Sequence, residues 1–371
     1  MISVPARMKE VFRRREPQVL GPIGLDLALE KMHLVQMEKA GSGLNLRAFA
    51  SVPYPGGREE LLSSHKALRA LLKEALGSQP FKGRRVVTAL PGRGTRLINL
   101  SYRTAPGGDE AEAIVQGVLG RIGARAEELV IDYLPIRQPE KGAQERTALA
   151  AVARREDVVA YLDLLAAAGL EVSALDLGPA ALKRLVMSAD REGEHPTVLL
   201  VNFGVEHSYL TVIAGQRLIL DREISLGERE LSTRLGRGLG MKPGQALELL
   251  YSYGFVRGGA KAQEQEILES IAAILKPAFL EFVDEVNKVQ LYTSAEMHGL
   301  ILSTVHLIGG LARCPGIDSF LARQLGLPTA ILSPFEHFRV RSEHAMLVAL
   351  NDPASIALAA GLGLRGLTDH A

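Results

Sequence analysis

The sequence predicts an α/β protein built from two similar halves, and three observations predict it. The stretches Gly24-Leu-Asp-Leu-Ala-Leu-Glu-Lys-Met-His-Leu-Val-Gln-Met and Val198-Leu-Leu-Val-Asn-Phe-Gly-Val-Glu-His-Ser-Tyr-Leu-Thr-Val share one pattern. Each runs apolar strand, Asp or Asn, tight turn, second apolar strand, the signature of a hairpin used twice. Beyond each hairpin, strand-like runs alternate with helical ones. Late in the chain a buried strand at Val305 enters the glycine turn Gly309-Gly310.

Bulk properties bound the answer. A chain of 371 residues is long enough for roughly two to three domains, each with its own core. Charged residues make up 23 % and hydrophobic ones 47 %, as in ordinary soluble proteins. The 43 basic and 42 acidic side chains leave a net charge of +1, so no global field recruits nucleic acid or a bilayer. Cys314 is the single cysteine; it has no disulfide partner and reads as a small buried thiol. No signal peptide is legible. No window approaches the roughly 18 uninterrupted apolar residues of a membrane span, since Val158–Leu170 is short and contains Asp163. A cytoplasmic location is expected, with membrane contact made through partners.

Residues 1–19 read as a flexible basic tail. The first hairpin follows, then a strand at Asn45–Val52 and a helix from Arg58 to Leu76 with leucines on one face. Strands are expected at Arg85–Ala89, Arg96–Arg103, Leu129–Leu134 and Arg146–Val152, with a helix at Asp109–Ile122 and a polar turn at Gln138–Gln144. The helix Arg155–Ala168, the strand Glu171–Leu177 and the helix Gly178–Met187 close the first half, and Ser188–His195 is its hinge. The second half has its hairpin, a strand at Gln216–Ile224, a turn at Gly227 and a mostly helical stretch to Ser303, interrupted at Gly254–Ala260. The strand at Val305, the helix Ile317–Leu325 and a small-residue helix from Ala354 end the chain.

Two such hairpins are how the actin/Hsp70/hexokinase fold presents two facing loops to the phosphates of ATP. A phosphate loop needs small residues, because backbone N–H groups must approach the anion, and an acidic residue for Mg²⁺. Asp26 fits the acidic position of the first hairpin; it equally well just starts a tight turn. Ala28, Leu29 and Glu30 fit poorly, since a bulky residue in a left-handed turn costs on the order of 1–2 kcal/mol and Glu30 repels a triphosphate. In the second hairpin Asn202 stands where a carboxylate belongs, while Gly204 and Ser208 are compatible with a phosphate turn. Gly309 and Gly310 would let a ring and ribose pack on the backbone, or would form a plain strand-to-helix turn. Elsewhere the nine histidines lack metal-ligand spacing, and no Walker loop, dinucleotide fingerprint or nucleophile elbow appears. With no tryptophan a stacking platform for single strands is not indicated. Arg313, Arg323, Arg339 and Arg341 read as a solvated surface.

These motifs, in this order, resemble the PilM family of actin-like cytoplasmic proteins of type IV pilus assembly, and more distantly the cell-division protein FtsA. The resemblance rests on Met8-Lys-Glu-Val-Phe-Arg-Arg-Arg before Gly24-Leu-Asp-Leu, on Arg85-Val-Val-Thr-Ala-Leu-Pro-Gly and Leu129-Val-Ile-Asp-Tyr, on Leu149 to Tyr161, on Ala168-Gly-Leu-Glu-Val-Ser-Ala-Leu-Asp-Leu, and on the Gly-Gly-x-Ala-x-x-Pro-Gly run at 309–316. It implies an actin-like (ribonuclease H-like) duplicated fold of two lobes with inserted subdomains. The family plan divides the chain into subdomain 1A at 20–83, an inserted 1C at 84–154, a return to 1A and hinge at 155–195, 2A at 196–227, a mostly helical 2B at 228–303, 2A again at 304–353 and a final helix at 354–371 returning to 1A.

The resemblance further implies a scaffold that holds the short cytoplasmic N-terminal segment of a PilN-like membrane protein in a groove between 1A and 1C, and that meets other pilus-machinery proteins. Nucleic acid is not among the implied partners. The family binds ATP, which would fall on Asp26, Asn202, Gly204, Ser208, Gly309 and Gly310, with Mg²⁺ at Asp26. The family reads Gly-Ile-Asp-Ile-Gly-Ser-Ser and Asp-Ile-Gly-Ala where this chain has Gly24-Leu-Asp-Leu-Ala-Leu-Glu and Asn202-Phe-Gly-Val. A degenerate nucleotide cleft and a weak or lost ATPase are therefore expected beside a retained scaffold. The alternatives are a functional ATP-binding switch or slow ATPase, a type II secretion relative, and a sugar or acetate kinase of the same superfamily.

Overall fold

A computed structural model describes residues 18–367 apart from 42, 93, 105–107, 136–145, 189–195, 257–261, 298, 337 and 341–352. The expected tail up to residue 17, the polar turn Gln138–Gln144, most of the hinge and Arg341 lie outside the described residues.

The first sheet begins at Gln18, so the last two residues of the expected tail are already strand. It contains β1 (Gln18–Leu27), β2 (Lys31–Ala40), β3 (Gly43–Pro53), β4 (Arg85–Ala89) and β8 (Glu171–Asp176), in the spatial order β3-β2-β1-β4-β8. The second contains β9 (Thr197–Phe203), β10 (Ser208–Ala214), β11 (Arg217–Ile224), β12 (Thr304–Gly309) and β13 (Thr329–Ile331), in the order β11-β10-β9-β12-β13. The two orders are the same topology: an antiparallel meander whose first strand pairs in parallel with the fourth. The hairpin repeat read from the sequence is thus a repeat of whole sheets.

A third sheet, in the order β5-β7-β6, is made of β5 (Arg96–Tyr102), β6 (Leu129–Pro135) and β7 (Arg146–Arg154). Helix α3 (Glu110–Ile122) packs on it, capped at its start by the Asp109 side chain accepting from the Ala111 N–H at 2.9 Å and ended by Gly123 at φ +70°. Its core of Leu100, Ile114, Val118, Ala150 and Val152 is separate from the others. β4 does not belong to this unit. It pairs with β1 on one side and β8 on the other and belongs to the first sheet.

The expected helix from Arg58 to Leu76 is two helices, α1 (Arg58–Leu62) and α2 (His65–Gly77). Ser64 adopts an extended conformation and its hydroxyl accepts from the Ala67 N–H at 3.3 Å; an N-cap serine opens a new helix more readily than it continues an old one. Helices α4 (Arg155–Ala167) and α5 (Gly178–Met187) complete the first half. The helical stretch of the second half is α6 (Glu228–Leu239), α7 (Pro243–Tyr253) and the long α8 (Ala262–Glu296). None of the described helices is long and apolar enough to cross a membrane. Helix α9 (Ile317–Leu325) follows β12, and α10 (Ala357–Gly363) ends the described chain.

The final helix shows why small residues were needed there. A Cβ on Gly24 would lie 1.9 Å from the Ala359 carbonyl oxygen, and one on Gly361 would lie 2.2 Å from that of Ala181. Helix α10 therefore lies backbone against backbone on β1 and α5. Beneath it Arg184 and Asp176 form a buried ion pair, with Arg184 Nη1 donating to the Gly361 carbonyl at 2.7 Å and Arg365 Nη1 lying 3.0 Å from Asp176 Oδ1. This pair ties the ends of β8 and α5 to the last helix. The main core runs through β2, β3, α5 and the whole second sheet, so the two halves share buried surface. The backbone at Arg339 extends the exposed edge of β3 by bonding Leu44 and Leu46.

Candidate functional site

In open α/β sheets, ligands sit outside the carboxyl ends of the strands where the strand order reverses. Here those ends belong to β1 in the first sheet and to β9 and β12 in the second. Asp26 is the penultimate residue of β1, and its carboxyl is pushed up to about 7 because burial disfavours its charge, with the Arg58 guanidinium pulling the other way. Tyr54 and Tyr161 feel its charge, and both phenols are raised chiefly by burial. The Tyr161 hydroxyl is 2.8 Å from Thr88 Oγ1 on the neighbouring strand. The Tyr54 hydroxyl donates to the turn carbonyls of Ala28 at 2.9 Å or Lys31 at 2.7 Å, so the first turn is braced from below.

On the second sheet, Asn202 stands opposite Ile308 and Phe203 opposite Gly309 in the parallel ladder. Gly309 has φ +84°, and a Cβ there would lie 2.1 Å from the Phe203 carbonyl oxygen and 2.8 Å from Asn202 Oδ1. Only glycine meets both demands. Gly204 is equally constrained, since its added Cβ would fall 2.3 Å from the His207 carbonyl oxygen across the second hairpin turn. The Gly204 carbonyl accepts from the Glu228 N–H at 3.1 Å, which docks the start of α6 on that turn. Asn202, Gly204, Gly309 and Gly310 are thus brought together. Ser208 is fully buried, and its hydroxyl donates at 2.5 Å to the Leu226 carbonyl. It braces the sheet rather than facing an anion.

One residue that dominates this region was not singled out from the sequence. Glu228, the first residue of α6, is buried, and its Oε1 lies 1.2 Å from where a Cβ on Gly310 would sit. Burial raises its carboxyl above the usual range, opposed by a Tyr251 hydrogen bond and the Arg313 charge and reinforced by Glu30. The Arg313 guanidinium lies 4.4 Å from the Tyr251 ring centroid and donates to the Tyr251 hydroxyl at 2.7 Å; it approaches Glu228 to 4.0 Å. Arg313, expected on a solvated face, remains at the surface but is held there by an aromatic ring and two polar partners. Glu30, in the first hairpin turn, acts on the charges of both Glu228 and Arg313. Cys314 is buried, its thiol pushed up to about 12 by desolvation and by Glu228, which agrees with an inert core thiol.

A second concavity lies between the third sheet and the first lobe. It encloses about 850 Å³ and is lined by Arg96, Ile122, Leu129, Val152, Arg155 and Val159 among others. Val159, on the outer side of α4, is 50 % exposed beside it, so a large apolar side chain is left uncovered at its rim.

Two sheets of one strand order, each opening on a hairpin, define an actin-like, ribonuclease H-like duplicated protein. A model of the family described as "Type IV pilus assembly protein PilM" matches residues 24–367, and the chain belongs to that family. It is a protein of type IV pilus assembly. Among solved structures it is similar to a chain of the PilM-PilN type IV pilus biogenesis complex, with a TM-score of 0.73 and 23 % identity over 95 % of this chain and 100 % of that one. It is also similar to the ethanolamine utilization protein EutJ of Carboxydothermus hydrogenoformans, with a TM-score of 0.49 and 15 % identity over 94 % of this chain and 90 % of that one. A third is MreB5 of Spiroplasma citri bound to ADP, with a TM-score of 0.48 and 12 % identity over 94 % of this chain and 96 % of that one.

The fold class implies a nucleoside triphosphate with Mg²⁺ in the crevice, and the residues present fit that group poorly. The space over Gly310 holds a carboxylate. The first turn carries Leu29 and Glu30 where an anion needs bare N–H groups, and the Ser208 hydroxyl is committed elsewhere. Asn202 brings no charge for a hard cation. Of the residues expected to hold the group, Asp26 is the one that keeps a carboxylate for the metal.

Proposed function

We propose that this protein is a scaffold of the inner-membrane part of the pilus machinery. In this reading it holds the short cytoplasmic N-terminal segment of a PilN-like membrane protein, and it carries a nucleotide crevice that has lost its function. The segment would lie in the groove between the third sheet and α4. The protein would then be cytoplasmic and reach the membrane through that partner. The subdomain plan is adopted with its first insertion starting after Ala89. The groove with Val159 uncovered at its rim is the observation that carries the reading, supported by the likeness to a chain from a PilM-PilN complex.

The test is a titration of the intact protein with a fluorescent peptide of the cytoplasmic N-terminus of the PilN-like protein from the same organism. We expect saturable binding, and binding at least tenfold weaker for Val159→Glu, the equivalent of about 1.4 kcal/mol. Val159 is exposed, so the substitution spares the core. Unchanged affinity in Val159→Glu would move the peptide elsewhere, and no binding by the native chain would remove the proposal.

A second reading, a nucleotide-controlled switch, is favoured by Asp26, whose desolvated carboxylate would be relieved by a cation. A site with a Kd near 10 μM would stabilise the fold by about 2.7 kcal/mol at 1 mM Mg-ATP. The scaffold reading expects no such shift.

A further inference from the structure

We propose that Glu228 is the residue that closes the crevice: its side chain, set beside the Arg313 guanidinium, fills the volume over Gly310 and excludes nucleosides by its bulk. The inference deepens the reading of the crevice as a lost nucleotide site and rests on it. It differs from the deficit at the hairpins, because Ala28, Leu29 and Asn202 remove attractions whereas Glu228 adds an obstruction.

Three observations carry it. First, Gly310, directly after β12, has Glu228 against it, with Oε1 at 1.2 Å from the position of a Gly310 Cβ. Second, the side chain is fixed there. Glu228 sits at the first position of α6, anchored through its N–H to Gly204, and its Oε1 lies 4.0 Å from Arg313 Nη2. Tyr251 in turn lies under the Arg313 guanidinium. Third, Arg313 and the Tyr251 it lies over come from the turn after β12 and from α7, elements separate from α6, so the cation beside the carboxylate is fixed independently of it. Glu30, in the first hairpin turn, adds a like charge that acts on Glu228. A ligand whose sugar lies on Gly310 would need Glu228 to leave a buried position beside Arg313.

The experiment compares two chains by calorimetric titration with Mg-ATP: Ala28→Gly/Leu29→Ser/Asn202→Asp, which restores the hairpins, and the same chain with Glu228→Ala added. We expect the first to show no binding and the second to bind at least tenfold more tightly. Glu228→Gln in the same background keeps the volume and is expected to stay blind. Equal affinity with and without Glu228→Ala, including no binding by either folded chain, would overturn the inference, and so would binding by the Gln variant that equals the Ala variant. Should the multiple variant fail to fold, Glu228→Ala alone is titrated with adenosine, which carries no charge to be repelled. A gain over the native chain supports exclusion by bulk, and no gain refutes it. Binding of Mg-ATP by the native chain would instead refute the lost-site reading itself, and the two failures are thereby told apart.

Discussion

Replacing Asp26 by Asn should make the protein more stable at neutral and alkaline pH, and the size of the effect follows from where the carboxyl sits. Burial at the end of β1 moves its pKa from 3.8 to about 7. Between these two values the native state holds a proton that the unfolded chain has released. Stability therefore falls as pH rises through that window and levels off above about 7. At about 1.4 kcal/mol per pH unit the full effect is roughly 4 kcal/mol. Asp26 keeps some contact with solvent, so about half of that is the expectation, on the order of 2 kcal/mol. Asn is nearly isosteric and does not titrate, so the native chain and Asp26→Asn should be close in stability near pH 4 and diverge steadily up to pH 7. The assay is urea unfolding of both chains at half-unit intervals from pH 4 to 8.5, read by circular dichroism. A difference independent of pH, or an Asn variant less stable than the native chain at pH 8, would refute the placement of a desolvated carboxyl at this position.

Two further perturbations probe the frame around the crevice. Gly24→Ala places a methyl 1.9 Å from the Ala359 carbonyl oxygen; α10 must retreat, and we expect a loss of about 2–3 kcal/mol in urea unfolding. The control Gly120→Ala, on the helix α3 with nothing within 4 Å of the added atom, should be neutral or stabilising by about 0.5–1 kcal/mol. Arg184→Ala leaves Asp176 buried beneath α10 with only the half-exposed Arg365 beside it, and a loss of about 3–5 kcal/mol is expected. Arg184→Met, which keeps packing but not charge, should lose nearly as much, because the stranded carboxylate is the main penalty.

The duplication was legible because each hairpin is a pair of apolar runs around a turn, a local signal that needs no knowledge of the rest of the chain. The glycine turn at Gly309-Gly310 was legible for the same reason. What local pattern could not assign was membership. The run Arg85–Ala89 reads as a strand in any context, and only its pairing with β1 and β8 places it in the first sheet rather than in the inserted unit. Leucines at helical spacing run continuously through Ser63-Ser64, so the break there depended on which serine caps. A hydroxyl such as Ser208 can turn either way, and the sequence does not say that the Leu226 carbonyl claims it. Glu228 was hidden most deeply. Its partners Tyr251 and Arg313 are far along the chain and on different elements, and a glutamate at a helix start is ordinarily explained by the helix dipole. The one available signal was its place directly after Gly227, at the foot of the second hairpin turn.

If the crevice takes no nucleotide, as proposed, partner binding does not depend on it. The most direct measurement is the affinity of the native chain for the PilN-like N-terminal peptide, determined by calorimetry with and without 5 mM Mg-ATP. Two superimposable isotherms are predicted. A Kd that changes tenfold when the nucleotide is added would show a working switch and contradict the claim.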